Sequence, residues 1–249
     1  MLLPLAGSLN PLAAARTTPF SPAKVSGLVL WLDSRRGLFQ DTAGTNPVSA
    51  DGQSVQRWED QSGSGNHATQ GTALRIPTYT AVAANGQPEV VFDGNDVLSI
   101  ADAASLSPTN ITIYMVVRTT AITTFQIVFT KSAAEYRANF ESASRYATNV
   151  NNSSNAEISG ATTGYKAWRI KYNGTRVAIK AAGLTEATVA RAGTIPNTTA
   201  ALLVGANTTA GAVGLIGALQ LLAIYNSEIS SANQTLVESW INTNFSVTP

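Results

Sequence analysis

The chemistry-bearing residues of this chain concentrate in WEDQSGSGNHATQ at 58–70. That stretch holds the only histidine, two adjacent carboxylates and a Ser-Gly-Ser-Gly run. A glycine run of this kind cradles phosphate when it leads into a Lys-Ser/Thr helix start, which this one does not. Zinc needs more nitrogen or sulfur ligands than a chain with one histidine and no cysteine supplies. Calcium prefers six to eight oxygens, several from carboxylates, so a calcium loop would use Asp60 and Asn66 with backbone carbonyls. The turn DGND at 93–96 adds Asp93 and Asp96 to that set if the fold brings the two loops together. The competing reading is architectural. Asp60 and Ser62 accept hydrogen bonds from amides of a tight loop turning at Gly63 and Gly65, Asn66 takes a left-handed conformation, and His67 packs against Trp58 or the next strand. We expect the architectural role, with no cofactor required and calcium as the one candidate.

A second concentration lies in EYRANFESASRYATN at 135–149. Tyr136, Arg137, Asn139, Tyr146 and Asn149 combine aromatic surface with amide and guanidinium donors, the mixture that a sugar site needs. The alternative is a strand whose Tyr136 or Phe140 is simply core. Catalysis has less to work with. Ser-His-Asp or Cys-His chemistry would rest entirely on His67, whose Gly-Asn-His setting is no nucleophile elbow.

The elements that would position these residues are short β-runs parted by turn residues. GLVLWLD (27–33), PEVVF (88–92), VLSI (97–100) and FQIVFT (125–130) read as strands, and ITIYMVVR (111–118) as a central strand with one face in the core. AWRIKY and RVAIKA flank Asn173-Gly174, a strong hairpin signal. ALLVGA (201–206) and LIGALQLLAIY (215–225) complete the series. About a dozen strands without intervening helices indicate a β-sandwich rather than βαβ units. One helix is expected in SSANQTLVESWINTNF, capped by Ser231 with Gln234 three residues on. Its apolar stripe of Leu236, Val237, Trp240 and Ile241 suits it to cover an edge or face of the sandwich. Residues 147–164 are polar and of low complexity, a surface loop or weak edge strand. Trp31, Trp58, Trp168 and Trp240 fall within strand or helix patterns and are expected as core anchors.

Charged residues make up only 12% of the 249 residues and the net charge is +1, which gives no electrostatic reason to expect nucleic acid or anionic lipid as a partner. No apolar run is long enough to cross a membrane as a helix, so membrane insertion is not expected. The opening MLLPLAGSLNPLAAAR lacks a basic start, and Pro4, Gly7 and Pro11 interrupt its apolar run, unlike a secretory signal. With Pro19 and Pro22 following, residues 1–23 read as an extended docking arm and 24–249 as the folded domain. All seven aspartates fall at or before Asp102, and beyond Arg191 only Glu228 and Glu238 carry charge. So neutral a C-terminal quarter suits a core or an assembly.

Four segments in order carry a family resemblance: GLVLWLDS near the start, W-E-D-Q-S-G-S-G-N-H-A at 58–68, V-F-D-G-N-D-V-L at 91–98, and LIGALQLLAIYNSEIS with the helix after it. Together they resemble the concanavalin A-like, laminin-G-type jelly-roll domain of bacterial surface proteins and tailed-phage structural proteins. The resemblance spans roughly 24–246. It implies an all-β fold, a jelly-roll sandwich of two antiparallel sheets with the C-terminal amphipathic helix and the N-terminal arm appended. Members bind glycans or proteins, some bind calcium on loops, and a related branch hydrolyses β-glucans. That branch needs an E-x-D-x-x-E strand, and no glutamate here stands two residues before an aspartate.

The expected role is therefore non-enzymatic: a virion structural protein on the outside of a tailed phage, as a capsid decoration, head-fibre or tail-associated subunit. Its expected partners are other virion proteins and further copies of itself through residues 1–23, with a host surface glycan as a possible ligand. The alternative is a bacterial cell-surface carbohydrate-binding or adhesion module.

Overall fold

In a computed structural model, residues 19–122, 124–132, 134–142, 144–151 and 156–247 are described. Alternating runs rich in β-branched and aromatic residues become strands, and glycines at positive φ turn the chain between many of them. The first part of the chain forms β1 (Leu28–Asp33), β2 (Leu38–Phe39), β3 (Arg57–Trp58), β4 (Ala68–Thr69), β5 (Thr78–Thr80), β6 (Glu89–Asp93) and β7 (Leu98–Ile100). The middle forms β8 (Ile111–Thr119), β9 (Gln126–Thr130), β10 (Tyr136–Glu141), β11 (Arg145–Val150) and β12 (Ala156–Ser159). Then follow β13 (Lys166–Tyr172), β14 (Arg176–Ala181), β15 (Ala187–Ala190), β16 (Leu202–Val204), β17 (Ile216–Tyr225) and the helix α1 (Ser231–Phe245).

These strands make two antiparallel sheets, as a jelly-roll sandwich requires. The first sheet runs β15-β14-β13-β8-β17-β6-β5, and the second β12-β11-β10-β9-β16-β7-β4-β3-β2. In the first sheet, β8 pairs along one edge of β17, while β1 and β6 divide the other edge end to end. The changeover falls at a register shift between Leu219 and Leu221. There the Ser34 amide donates to Gln220 O at 2.9 Å, and the buried Gln220 side chain exchanges hydrogen bonds with the Asn85 amide. DGND joins β6 of the first sheet to β7 of the second, so this turn crosses between layers instead of closing a hairpin. Asn173-Gly174 does close one, between β13 and β14.

The core between the sheets takes Trp58, Phe92, Ile113, Met115, Phe129, Tyr136, Phe140, Tyr146, Trp168 and Leu222 among others. A second apolar layer lies outside the first sheet. There α1 sets Val237, Ile241 and Phe245 against Trp31, Tyr114, Val116, Leu221 and Tyr225. β8 is therefore buried on both faces, one in the core as expected and the other beneath the helix. Arg35 fastens the helix. It lies 5.0 Å from the centroid of the Trp240 ring and 4.6 Å from that of Phe245, while its guanidinium binds both Asp33 oxygens.

Two details of the helix differ from the sequence reading. Its N-cap is Ser230, whose hydroxyl accepts from Asn233 N, while Gln234 donates to Ile229 O. Its buried stripe is Val237, Ile241 and Phe245, with Leu236 exposed and Trp240 half-buried, because the faces are set one position further round. Trp58 and Trp168 are fully enclosed, and Trp31 nearly so. The polar stretch 147–164 yields the outer strand β12. Residues 1–18 of the arm lie outside the described residues. Of the described residues before 24, Phe20 packs on the helix layer and Pro22 O accepts from Tyr225 OH at 3.1 Å. None of the described helices is long and apolar enough to cross a membrane.

Removing the Phe245 ring from beneath Arg35 leaves a cavity in the helix layer. Phe245→Ala should lose about 3–5 kcal/mol in urea unfolding, whereas Leu236→Ala on the exposed side should change stability by less than about 0.5 kcal/mol.

Candidate functional site

The 58–70 stretch lies between β3 and β4 of the second sheet, yet its middle reaches across to β1 of the first. β1 pairs with β17 on one edge only, which leaves amides and carbonyls unpaired on the other. The loop supplies their partners. Asp60 Oδ1 accepts from Trp31 N at 2.8 Å, Gln61 N donates to Trp31 O at 2.8 Å, and Asn66 Nδ2 donates to Val29 O at 2.7 Å. The same carboxylate organises the loop itself. Oδ1 also accepts from Ser62 N, and Oδ2 accepts from Ser62 Oγ at 2.8 Å and Asn66 N at 3.0 Å. His67 Nδ1 accepts from Asp60 N at 3.2 Å, with the Nδ1 acceptor state following from that contact. The positive φ values fall on Gly63 and Gly65, not on Asn66 as the sequence reading had it, because Asn66 spends its side chain on Val29 and Ser105.

The calcium candidates do not assemble. Both Asp60 oxygens are taken up by four protein donors, and Asn66 aims its amide at Val29. Asp93 and Asp96 serve the crossover turn: Asp93 Oδ1 accepts from Asn95 N at 2.7 Å, and Asp96 Oδ2 from Asp93 N at 2.9 Å. Among the described residues no three acidic, histidine or cysteine side chains form a metal-holding group. Burial, reinforced by the Asp93 carboxylate and opposed by the Asp93 amide, raises the Asp96 pKa to about 6.

The sugar candidates divide by strand parity. Along β10, Tyr136 and Phe140 face the core, and so does Tyr146 of β11. Tyr136 OH donates to Leu106 O at 2.7 Å, burial raises its pKa well above the ordinary phenol value, and Tyr146 stacks edge-on against Trp168 with centroids 4.7 Å apart. Neither ring is available as a platform, which corrects the expectation for Tyr136 and Tyr146. Arg137, Asn139 and Asn149 take the opposite parity and share the outer face of the second sheet, with Arg137 opposite Asn149 in register.

That outer face carries what the sequence reading missed. Arg137 is also opposite Thr130 of β9, which is opposite Leu203 of β16, which is opposite Ser99 of β7, which is opposite Thr69 of β4. One transverse row thus crosses the sheet. The loop at 205–215 stands beside it: Gly211 packs so closely on Asn95 that a Cβ there would sit 2.0 Å from Asn95 O. Two depressions flank this loop and meet at Thr209. One, of about 330 Å³, is lined by Thr130, Ser132, Ala201, Leu203 and Asn207. The other, of about 520 Å³, is lined by Thr69, Gln70, Arg75 and Ser99. Both volumes suit a small-molecule ligand. The far rim is held by Lys131, fully buried and bonded to Asp102 at 2.7 Å, Glu135 at 3.3 Å and Ala200 O at 3.0 Å. Buried polar atoms on this face without a hydrogen-bond partner include Thr130 Oγ1, Arg137 Nε, Asn139 Oδ1, Arg145 Nε and Arg57 Nε. Phe125, half-buried, places its ring 5.8 Å from the Arg137 guanidinium carbon. Of the carboxylates on the face, Glu141 accepts from Asn139 and Glu157 is ion-paired to Arg145 at 2.7 Å.

No protein-family model and no curated protein matches the sequence. Solved structures do match in fold. The binding domain of Paraclostridial Mosquitocidal Protein 1 aligns with 89% of this chain and 54% of its own, at 10% identity and TM-score 0.61. Domain 4 of AbnA, a GH43 extracellular arabinanase from Geobacillus stearothermophilus solved with arabinotriose, aligns with 86% of this chain and 98% of its own, at 12% identity and TM-score 0.57. A GH54 α-L-arabinofuranosidase aligns with 90% of this chain and 60% of its own, at 14% identity and TM-score 0.61. At these identities the likeness is one of fold, and it agrees with the jelly-roll expectation.

Two outcomes test this description. Asp60→Ala should cost about 3 kcal/mol or more by stranding the Trp31 and Asn66 amides, and calcium or a chelator should move the melting temperature of the unaltered protein by less than about 1 °C. For Asp96, the folded pKa of about 6 lies above the ordinary 3.8, so the native state binds the proton more tightly. Stability owed to this group therefore falls as pH rises between those values. Asp96→Asn should match the unaltered protein near pH 4 and exceed it at pH 7 by on the order of 1–3 kcal/mol in denaturant titrations.

Proposed function

We propose that this chain is a non-enzymatic glycan-binding jelly roll whose site is the outer face of the second sheet. One observation carries the reading: a largely polar transverse row borders two depressions, one of them lined by Thr130, whose buried hydroxyl lacks a partner, and Arg137 Nε and Asn139 Oδ1 on the adjoining strand lack one as well. Such atoms are costly to bury unless a ligand or water completes them, and sugar hydroxyls both donate and accept. The arabinotriose held by the arabinanase domain of like fold supports the ligand class. The binding-only role draws on Glu141 and Glu157, which are bonded to Asn139 and Arg145, and on the absence of an E-x-D-x-x-E strand in the sequence.

The setting we propose is the external surface of a tailed-phage virion, with residues 1–18 as the contact to other virion proteins or to further copies. The motif resemblance and the proline-spaced leader support it, and a bacterial cell-surface adhesion module is the alternative. A glycan array with the whole chain should give hits. Ala201→Trp, filling one depression, and Thr130→Val, removing the unpartnered hydroxyl, should weaken the best hit by about tenfold and about threefold or more respectively. An array without hits, or hits indifferent to both substitutions, removes the reading. For the setting, light scattering should show an oligomer that becomes monomeric when residues 1–18 are deleted.

A further inference from the structure

We infer that the outer-face site takes a glycan bearing a carboxylate, gripped by the Arg137 guanidinium; this rests on the glycan reading above. Most other arginines among the described residues have acidic partners, while Arg75 and Arg191 bond backbone carbonyls and Arg176 is exposed. Arg35 and Arg36 bind Asp33, Arg57 binds Glu59, Arg118 binds Glu89, Arg145 binds Glu157, and Arg169 binds Glu186 and Glu238. Arg137 stands next to the end of the transverse row, half-buried, and forms no ion pair among the described residues. The nearest strand neighbours that face the same way are Thr130, Asn139 and Asn149, all uncharged.

An unpaired, half-buried guanidinium is a fork of parallel N–H donors, and a carboxylate is the group that meets two of them at once. Its surroundings fit the rest of a sugar acid. Thr130 Oγ1, on a residue that lines the adjoining depression, and Asn139 Oδ1 lack hydrogen-bond partners. The half-buried Phe125 ring lies 5.8 Å from the guanidinium carbon, where it backs the cation and offers an apolar surface to a pyranose face. Among the described residues, Glu141 and Glu157 on this face are engaged with Asn139 and Arg145, and neither pairs with Arg137.

The test is calorimetry on the whole chain with matched probes: trigalacturonic acid against its methyl ester, 3′-sialyllactose against lactose, and 3′-sulfolactose as the sulfate arm. At least one acid should bind about tenfold or more tightly than its neutral counterpart, and more weakly as salt rises. Arg137→Gln should abolish that preference, acid and neutral forms then binding alike; Arg137→Lys, which keeps charge but not the fork, should retain less than half of it on a logarithmic scale. The ester comparison needs no variant, so it stands even if a substitution disturbs folding. Equal binding of acid and neutral forms, a preference that survives Arg137→Gln, or tighter binding of the sulfate than of either acid overturns the inference and leaves the glycan reading intact. Failure of every probe on this chain, neutral ones included, overturns both.

Discussion

The Asp60 carboxylate is the constraint on which the arrangement of layers depends. A sandwich holds its sheets together by apolar contact, which is strong but indifferent to small slides, whereas hydrogen bonds fix register. Asp60 sits in a loop of the second sheet and accepts the Trp31 amide of the first. Through Gln61 and Asn66 the same loop satisfies Trp31 O and Val29 O, so the outer edge of β1 ends on side chains and turn backbone instead of lying open. The residues that looked most like an active site are the clasp between the layers. Their polarity is spent internally, which is why a stretch so rich in functional groups is chemically quiet.

The two sheets differ in what covers them. The first is sealed on both faces, by the core on one side and by α1 on the other, and Arg35 locks the helix through Trp240 and Phe245. Among the described residues the second has no helix over its outer face, where Arg137 is only half-buried although Thr130 and Asn139 are buried. Its outer row runs from Thr69 through Ser99, Leu203 and Thr130 to Arg137 and Asn149, and the crossover turn and the 205–215 loop wall it in. The wall is rigid because Gly211 rests against the Asn95 backbone with no room for a side chain between them. Fold and proposed site are therefore linked by exclusion: the helix uses up one outer face, and the proposed site lies on the other.

How much of this was legible depends on which signal each residue sent. Ile111–Thr119 announced itself by alternation, and Asn173-Gly174 by turn chemistry, and both stand where the sequence put them. The strands β2, β3 and β4 are two residues long, too short for any period to register. In β10, Tyr136, Phe140, Arg137 and Asn139 were all visible as candidates, but a period of two sorts residues into two faces without saying which is inside. Packing against Trp168 and Leu106 decided it for the tyrosines. Thr130, Leu203 and Thr209 gave no signal at all, because their shared role comes from lateral pairing and loop placement between residues distant in sequence. Asp96 was readable as a turn residue but not as a buried acid, since its surroundings arrive from the loop that follows β16.

The division of one edge of β17 between β1 and β6 has a bearing on biosynthesis. β1 is among the first strands made, yet the strand that completes its ladder leaves the ribosome about 200 residues later. Through that interval LVLWLD is an unpaired apolar segment of the kind that seeks partners on other chains. The loop carrying Asp60 and Asn66 emerges only about 30 residues behind it and already offers β1 one finished edge. The same contacts that clasp the mature layers thus give the nascent chain a chaperone of its own.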